Sequence, residues 1–309
     1  KGMYIMINAQ ILKNALLRAA QSINAHRDEV DGINYFPVPD GDTGTNLSMT
    51  LSSCAEAIAD CETDSAGELA DTAAAELLMG ARGNSGVIFS LIFKGFADNV
   101  RDRAEIDGSA LAHGLEAGCT EAYSCVERPV EGTMLTVIRI AASRASAAAD
   151  KGGDAKAVFE AAVAGAKAAL KSTPNLLPIL KKSGAVDSGG QGLVYIMEAM
   201  LGSAEQPSER PASAAKAAKA PAGDIRYTYC TEFIIRNSSG RGIASLSRLL
   251  TSIGDCAAAA EHSGIIKVHV HTDFPNLAIE KGLEYGELDR IKIDNMRLQA
   301  SSFAAAQSN

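Results

Sequence analysis

The first two hundred residues of the chain alternate apolar and polar positions with the period of an α-helix. Leu12, Leu16 and Ile23 share one stripe of a predicted helix over residues 6–25. The same spacing of three and four recurs in segments at 44–60, 69–79, 87–96, 109–126, 133–149, 154–172, 175–183 and up to residue 200. These segments are rich in Ala and Leu and have few β-branched runs, so the pattern predicts an all-α domain over residues 1–202.

The pattern changes after residue 202. Residues 203–223 lose all hydrophobic periodicity and collect Pro, Ser, Ala and charged residues, which predicts a linker. Beyond the linker the period becomes two, in the order strand 226–236, helix 243–253, strand 256–261, strand 265–272, helix 275–285 and strand 289–294. This order predicts a small α+β domain over residues 224–300, a ferredoxin-like split-βαβ sandwich, with a tail at 301–309.

Composition narrows the class of protein. A chain of 309 residues with 47% apolar content is long enough for two domains. The formal net charge of −8 argues against a nucleic-acid surface, which needs a basic face. The six cysteines show no disulfide-framework spacing, no signal peptide precedes them and no apolar run reaches membrane-spanning length, so we expect a cytoplasmic protein without a transmembrane segment.

Two carboxylates stand one glycine apart in the loop NYFPVPDGDTGTN, which runs from Asn34 to Asn46. A turn at Gly41 lets the side chains of Asp40 and Asp42 converge on one hard cation such as magnesium. The following segment is helical, so the N–H groups at its start point back toward the carboxylates. A second interpretation is an Asx-rich turn in which Asp42 caps the helix. Both interpretations fit this loop taken alone.

Three further loops rich in glycine or polar residues precede predicted helices. They are GARGNSG at 80–86, EGTM at 131–134 and GAVDSGGQG at 184–192. The first lacks the lysine and hydroxyl of a P-loop and does not follow a strand, so it is either a phosphate-binding helix start or a close helix–helix turn. Four such loops at one end of a helical bundle would cradle a polyphosphate and its metal.

The segment Val268-His269-Val270-His271 directs both imidazoles to one face of a predicted strand. On the first strand of the same domain, Cys230 falls on the face opposite the apolar positions. First and third strands are neighbours in a split-βαβ fold, so Cys230 is expected beside the two histidines on the uncovered face of the sheet. A Cys-His-His set suits zinc with one open position, to which Glu232 or Asp273 would add an oxygen ligand. Two ordinary solvated histidines are the alternative.

The assembled motifs resemble the ATP-binding subunit of bacterial fatty acid kinases, whose first domain is similar to the nucleotide-binding L-type subunit of dihydroxyacetone kinases. The resemblance covers nearly the whole chain and rests on NYFPVPDGDTGTNL, LLMGARGNSGVI, PVEGTMLTV, TPNLL, GAVDSGGQGL, YCTEF, IIKVHVHT and IDNMR, in this order. It implies an eight-helix barrel that binds ATP at one end, followed by the middle domain of the kinase subunit.

The resemblance also implies the residues of the site. Two Mg²⁺ ions would be held chiefly by Asp40 and Asp42, with Asn34 as the nearest substitute for a third upstream carboxylate of the related domain. Phosphate contacts would come from Thr43, Gly44, Thr45, Asn46, Asn84, Ser85 and Gly86. Thr133 and Met134 would lie by the nucleotide, and Asp187, Ser188 and Gly189 would close the pocket. The Zn²⁺ residues would be Cys230, His269 and His271, in agreement with the strand argument.

The implied reaction transfers the γ-phosphoryl group of ATP to a fatty acid carboxylate that a DegV-like carrier protein presents, giving an acyl phosphate. A carboxylate is already ionised at neutral pH, so its attack needs no general base. Arg82 is the candidate for neutralising the transferring group, and a surface salt bridge is its alternative role. His269 and His271, or a zinc that they hold, would orient the acceptor, with a structural site as the alternative.

Two other functions are compatible with the motifs. A dihydroxyacetone-kinase-like enzyme would phosphorylate a small hydroxy-ketone, but the L-type subunit ends after its helical barrel. A nucleotide-sensing interaction module would bind ATP without transfer, which the missing third carboxylate favours. Members of the kinase family usually continue into another domain, so we expect this chain to be a fragment that ends soon after Arg297. A homodimer is compatible with these features.

Overall fold

The structure is a computed structural model that describes residues 6–126, 128–202 and 225–306. The predicted linker at 203–223 lies outside the described residues. Ten helices form the helical domain within the described part of the chain, eight of them long and two of six residues. They are α1 (Ala9–Ala25), α2 (Arg27–Gly32), α3 (Thr43–Ala59), α4 (Ala66–Gly80), α5 (Gly83–Val100), α6 (Gly108–Cys125), α7 (Met134–Ala149), α8 (Ala155–Leu176), α9 (Pro178–Ser183) and α10 (Ser188–Leu201).

The eight long helices form a closed ring. Each helix packs on the next in the order α1, α3, α4, α5, α6, α7, α8 and α10. The ring closes because α10 also packs on α1. Their apolar stripes meet in one core of small and branched side chains, including Leu16, Leu51, Leu77 and Val137. The predicted eight-helix barrel is therefore confirmed.

Alternate helices of the ring begin at the same end, because helices joined by short connections run antiparallel. Contacts between loops support this arrangement. Ser85 at the start of α5 donates to the carbonyl oxygen of Thr43 at the start of α3 (3.4 Å), and Ser188 at the start of α10 donates to the Thr43 hydroxyl (3.2 Å). Each of the four loops singled out in the sequence precedes one of α3, α5, α7 and α10, so all four lie at one end of the barrel.

One helix boundary differs from the prediction. The sequence predicts separate helices at 154–172 and 175–183, yet α8 continues through Pro174 to Leu176 and α9 begins at Pro178. Pro174 cannot donate a hydrogen bond to the carbonyl of Leu170. The hydroxyl of Thr173 donates to that carbonyl instead (2.8 Å), which allows the helix to extend for its last turn.

The sheet domain contains a four-stranded antiparallel sheet within the described residues. Its elements are β1 (Tyr229–Asn237), α11 (Ala244–Ile253), β2 (Gly254–His262), β3 (Ile265–Thr272), α12 (Pro275–Leu283) and β4 (Gly286–Asn295). The strand order is β2-β3-β1-β4, so the first and third strands are neighbours. This is the order of a ferredoxin-like split-βαβ fold, and the predicted class of the domain is confirmed.

The two faces of the sheet contact different partners. Phe233, Ile235 and Val268 pack with Leu246 of α11 and Ala278 of α12 in the core of the sheet domain. The opposite face was expected to be uncovered, and this expectation is wrong, because the face packs against the helical domain. Small side chains at Ala258 and Ala260 allow the close approach of Leu78, Val87 and Leu91 from α4 and α5.

A last helix, α13 (Met296–Ala306), follows β4 directly. The sequence predicts only a tail from residue 301, so the boundary drawn at residue 300 falls inside this helix. The short helix α2 is likewise not predicted, because six residues carry too little periodicity. None of the helices in the described part of the chain is long and apolar enough to cross a membrane.

Candidate functional site

A wide cavity of about 400 Å³ opens at the end of the barrel where α3, α5, α7 and α10 begin. Ile88, Leu91 and Met134 give it an apolar wall, whereas Asp187 and Ser188 are polar lining residues. The sheet domain contributes a further side, which includes residues 254–258. Concave, largely apolar cavities with a few polar groups are typical ligand sites.

A narrow cavity of about 40 Å³ adjoins the wide one and lies between the two domains. The helical domain lines it with Asn34, Asp40 and Asp42, and the sheet domain lines it with Cys230, His269 and His271. Both cavities share the lining residues Pro37, Thr43, Asn84 and Ser85. The structure thus brings the two candidate metal sites into one cavity.

The loop before α3 holds its two carboxylates together as predicted. Gly41 has φ of +71°, so the turn uses a conformation that glycine adopts readily. Asp42 makes no capping hydrogen bond with the described residues, which contradicts the capping alternative. Burial and the negative charge of Asp42 raise the pKa of Asp40 to about 8. Burial also raises the pKa of Asp42.

The donor set of this loop fits magnesium. The Asn34 side-chain nitrogen donates to Asp40 Oδ1 (2.8 Å), which leaves the Oδ1 atom of Asn34 buried and without a hydrogen-bond partner among the described residues. Two carboxylates and an unpartnered amide oxygen are the hard oxygen ligands that Mg²⁺ requires. A bound cation would also favour the ionised form of both half-buried carboxyl groups.

Two of the predicted phosphate contacts have another partner. Asp31 Oδ1 accepts from the backbone N–H groups of Gly44 (2.6 Å) and Thr45 (3.0 Å), and Asp31 Oδ2 accepts from the Thr45 hydroxyl (2.7 Å). Gly44 and Thr45 are not among the described residues that line either cavity. The predicted phosphate contacts of these two residues therefore gain no support from the geometry, whereas Thr43 and Asn46 do line the narrow cavity.

The start of α5 presents two residues to both cavities. Asn84 and Ser85 occupy the second and third helical positions, whose N–H groups have no acceptor within the helix. The N–H group of Gly86 already donates to the carbonyl of Arg82 (3.0 Å), so the predicted phosphate contact of Gly86 gains no support. Arg82 is not among the described residues that line the cavities, and its proposed role in neutralising the phosphoryl group gains no support.

The starts of α7 and α10 complete the wide cavity. Thr133, Met134, Ser188 and Gly189 all line it, as does Asp187. Asp187 Oδ2 accepts from the backbone N–H of Gly190 (2.7 Å) and thereby caps α10. Burial raises the pKa of Asp187 to about 7. The predicted grouping of these five residues with Ser85 around one cavity agrees with the geometry.

Cys230, His269 and His271 form the second cluster. Cys230 lies directly opposite His271 in the β1–β3 register, and one ligand atom from each of the three residues lies within 4.8 Å of the others. The Cys230 Sγ atom is 3.8 Å from His269 Nδ1, and His269 Nε2 is buried without a hydrogen-bond partner among the described residues. A thiolate and two imidazoles with an unpartnered nitrogen fit Zn²⁺.

Electrostatics favour a thiolate at this cluster. Burial is the largest single influence on Cys230 and opposes its ionisation, but the charge of His269 and the hydrogen bonds from His269 and His271 together outweigh burial and lower the pKa of the thiol. Burial likewise opposes the charge on His269, yet Cys230 and then Glu232 raise the pKa of the imidazole to about 9. A metal cation would take the place of the imidazolium charge beside the thiolate.

Glu232 and Asp273 are the two residues that the sequence offers as additional oxygen ligands. Glu232 Oε1 accepts a hydrogen bond from His269 Nδ1 (3.0 Å), so this carboxylate contacts the ligand side chain itself. A carboxylate in this position orients a metal-binding histidine. Asp273 is exposed and accepts from the backbone N–H of Thr228 (2.8 Å), away from the cluster.

Several polar residues of the site are not predicted from the sequence. Lys267 is buried on the same face of β3 as His269, and Lys292 lines the narrow cavity beside Asp294. Side chains alternate between the two faces of a strand, and the same alternation that placed the histidines also places these two lysines on the face of the site. Strand parity could therefore have identified both lysines from the sequence. Asp31 and Asp255 are also not predicted, because their contacts with distant segments leave no trace in the local sequence pattern.

Comparisons with known proteins match both domains to families. Residues 37–202 match the DAK2 domain, and residues 226–303 match the middle domain of FakA-like fatty acid kinase proteins. The two matches together cover the motifs of the barrel end and the Cys-His-His cluster.

Curated relatives match over nearly the whole chain. An uncharacterized protein of Staphylococcus haemolyticus is 39% identical over 308 residues, which are 95% of this chain and 56% of the relative. An uncharacterized protein of Staphylococcus aureus strain USA300 is 38% identical over 309 residues, with the same coverage. The chain thus spans little more than half the length of these relatives. The crystal structure of the native dihydroxyacetone kinase of C. freundii matches with a TM-score of 0.47 and 18% identity, covering 66% of this chain and 36% of that one.

Proposed function

The chain belongs to the DAK2 domain family, and from this membership and the geometry of the site we propose that it is the ATP-binding subunit of a fatty acid kinase. It would transfer the γ-phosphoryl group of ATP to a fatty acid carboxylate, with ADP and an acyl phosphate as products. The fatty acid would be presented by a separate DegV-like carrier protein. The match of residues 226–303 to a fatty acid kinase middle domain supports this choice of acceptor.

One observation carries the proposal. Asp40 and Asp42 of the helical domain line the same narrow cavity as Cys230, His269 and His271 of the sheet domain. A nucleotide in the wide cavity would direct its phosphates toward this narrow cavity, since Thr43, Asn84 and Ser85 line both. The sheet domain therefore presents its polar groups where the terminal phosphate would meet an acceptor.

The barrel end supplies the groups that bind a nucleotide. The apolar wall of Ile88, Leu91 and Met134 suits a purine base. The N–H groups at the start of α5 would donate to phosphate oxygens, because a helix N-terminus stabilises negative charge. Asp40, Asp42 and the Asn34 amide oxygen would hold magnesium. Bound magnesium neutralises charge on the β- and γ-phosphates and orients them for transfer.

The transfer step needs no general base at the site. A carboxylate oxygen of the acceptor would form a bond to the γ-phosphorus while the bond from that phosphorus to the β-phosphate oxygen breaks, and ADP leaves. The acceptor is ionised at neutral pH, so no proton has to be removed. The work of the protein is to position two anions side by side and to offset their repulsion.

The cluster on the sheet would orient the acceptor. Cys230, His269 and His271 would hold zinc, and the bound ion would supply a Lewis acid for the acceptor carboxylate. Lys292 Nζ lies in the same cavity, but its charge is offset by Asp294 at 2.5 Å, so the cation that the cluster would hold is the main positive charge on this side. This charge favours a carboxylate acceptor over a neutral hydroxy-ketone.

A transfer assay tests the proposal. The protein would be incubated with ATP, magnesium and an oleate-loaded DegV-like carrier, and acyl phosphate would be trapped with hydroxylamine, with dihydroxyacetone as the competing acceptor in a parallel reaction. We expect ADP and acyl hydroxamate with oleate, and loss of both in Asp42→Asn, whose magnesium-dependent ATP binding should fall at least about 100-fold. Phosphorylation of dihydroxyacetone alone, or wild-type ATP affinity in Asp42→Asn, would contradict the assignment.

Metal analysis tests the sheet cluster separately. We expect the purified protein to contain about one zinc per chain and Cys230→Ser to lose most of it, because a thiolate is the strongest ligand of the set. Cys61→Ser is a matched control, since Cys61 is a half-buried cysteine that follows α3 and is not among the described residues that line either cavity. An intact chain without zinc after growth in zinc-supplemented medium would remove this site from the proposal.

A further inference from the structure

A buried ion pair at the border between the domains has no part in the proposed transfer. Lys267 Nζ lies 3.2 Å from Glu232 Oε2, and the two side chains are 3% and 2% exposed. Ion pairs in such surroundings contribute little to stability, because desolvation offsets their attraction. The position of the pair is therefore more informative than its strength.

Both members of the pair also bind the loop that connects α4 to α5. Lys267 Nζ donates to the carbonyl oxygen of Ala81 (2.8 Å), and Glu232 Oε1 accepts from the backbone N–H of Gly83 (2.7 Å). Gly83 has φ of +57°, and a Cβ atom there would lie 2.2 Å from the Asn46 side chain. The loop thus has little freedom, and the sheet domain holds it on both sides of Arg82.

The same carboxylate contacts a metal-binding candidate. Glu232 Oε1 accepts from His269 Nδ1 (3.0 Å) as well as from Gly83, so one oxygen atom joins the imidazole to the first residue of α5. His269 is fully buried, and its Nε2 atom has no hydrogen-bond partner among the described residues. Asn84 and Ser85 follow Gly83 directly and line both cavities.

We propose that Glu232 and Lys267 couple the Cys230–His269–His271 metal site to the nucleotide site at Asn84 and Ser85. A metal that binds His269 fixes its ring and thereby fixes the Glu232 carboxylate. The carboxylate then holds the start of α5 in the arrangement that receives phosphate. Nucleotide binding orders the same contacts from the other side, so each ligand tightens the binding of the other.

This coupling rests on the proposed function, because it takes metal and nucleotide at those two sites. Coupling between two ligands is reciprocal, so the factor by which zinc tightens nucleotide binding must equal the factor by which nucleotide tightens zinc binding. Factors of roughly 5 to 150 are typical of such coupling. A kinase with this device would bind ATP well only when the acceptor side of the site is assembled.

The test is a set of four titrations on the full chain. The dissociation constant of a non-hydrolysable ATP analogue with magnesium is measured on chelator-treated and on zinc-loaded protein, and that of zinc is measured with and without the analogue. We expect each ligand to tighten the other at least about 5-fold in the wild type, by equal factors. In Glu232→Gln we expect both ligands to bind, but neither should tighten the binding of the other, so both coupling factors should be near one.

Two further variants complete the design. Asp289→Asn is the matched control, because it removes a carboxylate of an exposed ion pair with Arg236 between β1 and β4 of the same sheet, and it should keep the wild-type factor. The double variant Glu232→Gln/Lys267→Met removes the whole buried ion pair. It is used in place of the single variant if Glu232→Gln does not fold. Its factor should also be near one.

The outcomes are distinguishable. Absence of nucleotide or zinc binding in the wild type overturns the proposed function and the coupling together. Binding of both ligands with factors of one overturns the coupling and leaves the proposed function intact. Wild-type factors in the Glu232→Gln variant show that another route connects the sites, and they overturn the role of this residue.

Discussion

Three carboxyl groups at the barrel end, two half-buried and one buried, have raised pKa values. Burial is the largest cause for Asp40, Asp42 and Asp187 alike, and the mutual repulsion of the first two adds to it for Asp40. Burying charge without compensation lowers stability, so such groups are retained where a ligand compensates them. A cation would compensate the charges of Asp40 and Asp42. Asp187 also caps α10, so its contribution to the free energy of unfolding can be measured in the protein without ligands.

Asp187 should make the stability of the protein depend on pH in a defined direction. Its folded pKa of about 7 exceeds the ordinary value of 3.8, so the folded state holds a proton that the unfolded state releases between about pH 4 and 7. The free energy of unfolding should therefore fall, relative to that of Asp187→Asn, as pH rises through this window. The difference should level off above about pH 7.

Chemical denaturation of both proteins between pH 4 and 8 measures this difference. Asp107→Asn is the control for the loss of a capping carboxyl group, because Asp107 caps α6 in a half-buried position. A difference that stays flat or rises between pH 4 and 7 would contradict the assignment of the raised pKa.

At the scale of elements, the starts of alternate helices make the site. The glycine-bearing loops before α3, α5, α7 and α10 were recognisable in the sequence because each breaks a helical period with residues that only a turn or cap favours. Their convergence follows from the up-and-down ring. Local sequence patterns do not show which side chains of other elements bind the backbone N–H groups at these helix starts. Asp31, from a preceding helix, takes those of Gly44 and Thr45, and Glu232, from the sheet domain, takes that of Gly83.

Gly83 should be sensitive to a single added methyl group. An alanine there would need φ of +57° and would bring its Cβ to 2.2 Å from Asn46 Nδ2, a residue that lines the narrow cavity. We expect Gly83→Ala to lower the free energy of unfolding by at least about 2 kcal/mol and to weaken nucleotide binding. Thermal or chemical unfolding and an ATP-analogue titration measure the two effects.

Gly152→Ala separates backbone strain from the steric contact. Gly152 has φ of +78°, and no atom of the described residues lies within 4 Å of its added Cβ, so the substitution should cost only about 1 kcal/mol. Equal losses of stability in the two variants, with unchanged nucleotide affinity in Gly83→Ala, would mean that Asn46 moves aside freely.

At the scale of the whole molecule, the docking of the two domains creates the narrow cavity. Strand parity correctly placed Cys230 beside the histidines, and the split-βαβ order correctly made β1 and β3 neighbours. The sequence nevertheless predicted that this face would be uncovered, because periodicity describes each element and carries no information on which surfaces meet. Ala258 and Ala260 were the available hint, since two small apolar side chains on the outer face of a strand permit close packing.

Ala260 offers a way to separate the domains without unfolding either one. Its side chain is 2% exposed and packs with Leu78, Val87 and Leu91 of the helical domain, on the sheet face opposite the core around Phe233. An unpaired carboxylate at this position would be too costly to bury, so Ala260→Asp should release the contact. We expect the proposed phosphoryl transfer to fall at least about 100-fold, because the proposed acceptor site would move away from the phosphates.

Nucleotide binding distinguishes this effect from general unfolding. The wide cavity draws most of its lining from the barrel, so Ala260→Asp should keep measurable affinity for an ATP analogue while its radius of gyration in small-angle scattering increases. Ala260→Ser, which adds one hydroxyl group at nearly the same volume, should remain close to the wild type. Full transfer activity in Ala260→Asp would mean that the reaction does not need the sheet domain at this border, and the joint lining of the narrow cavity would then have no catalytic meaning.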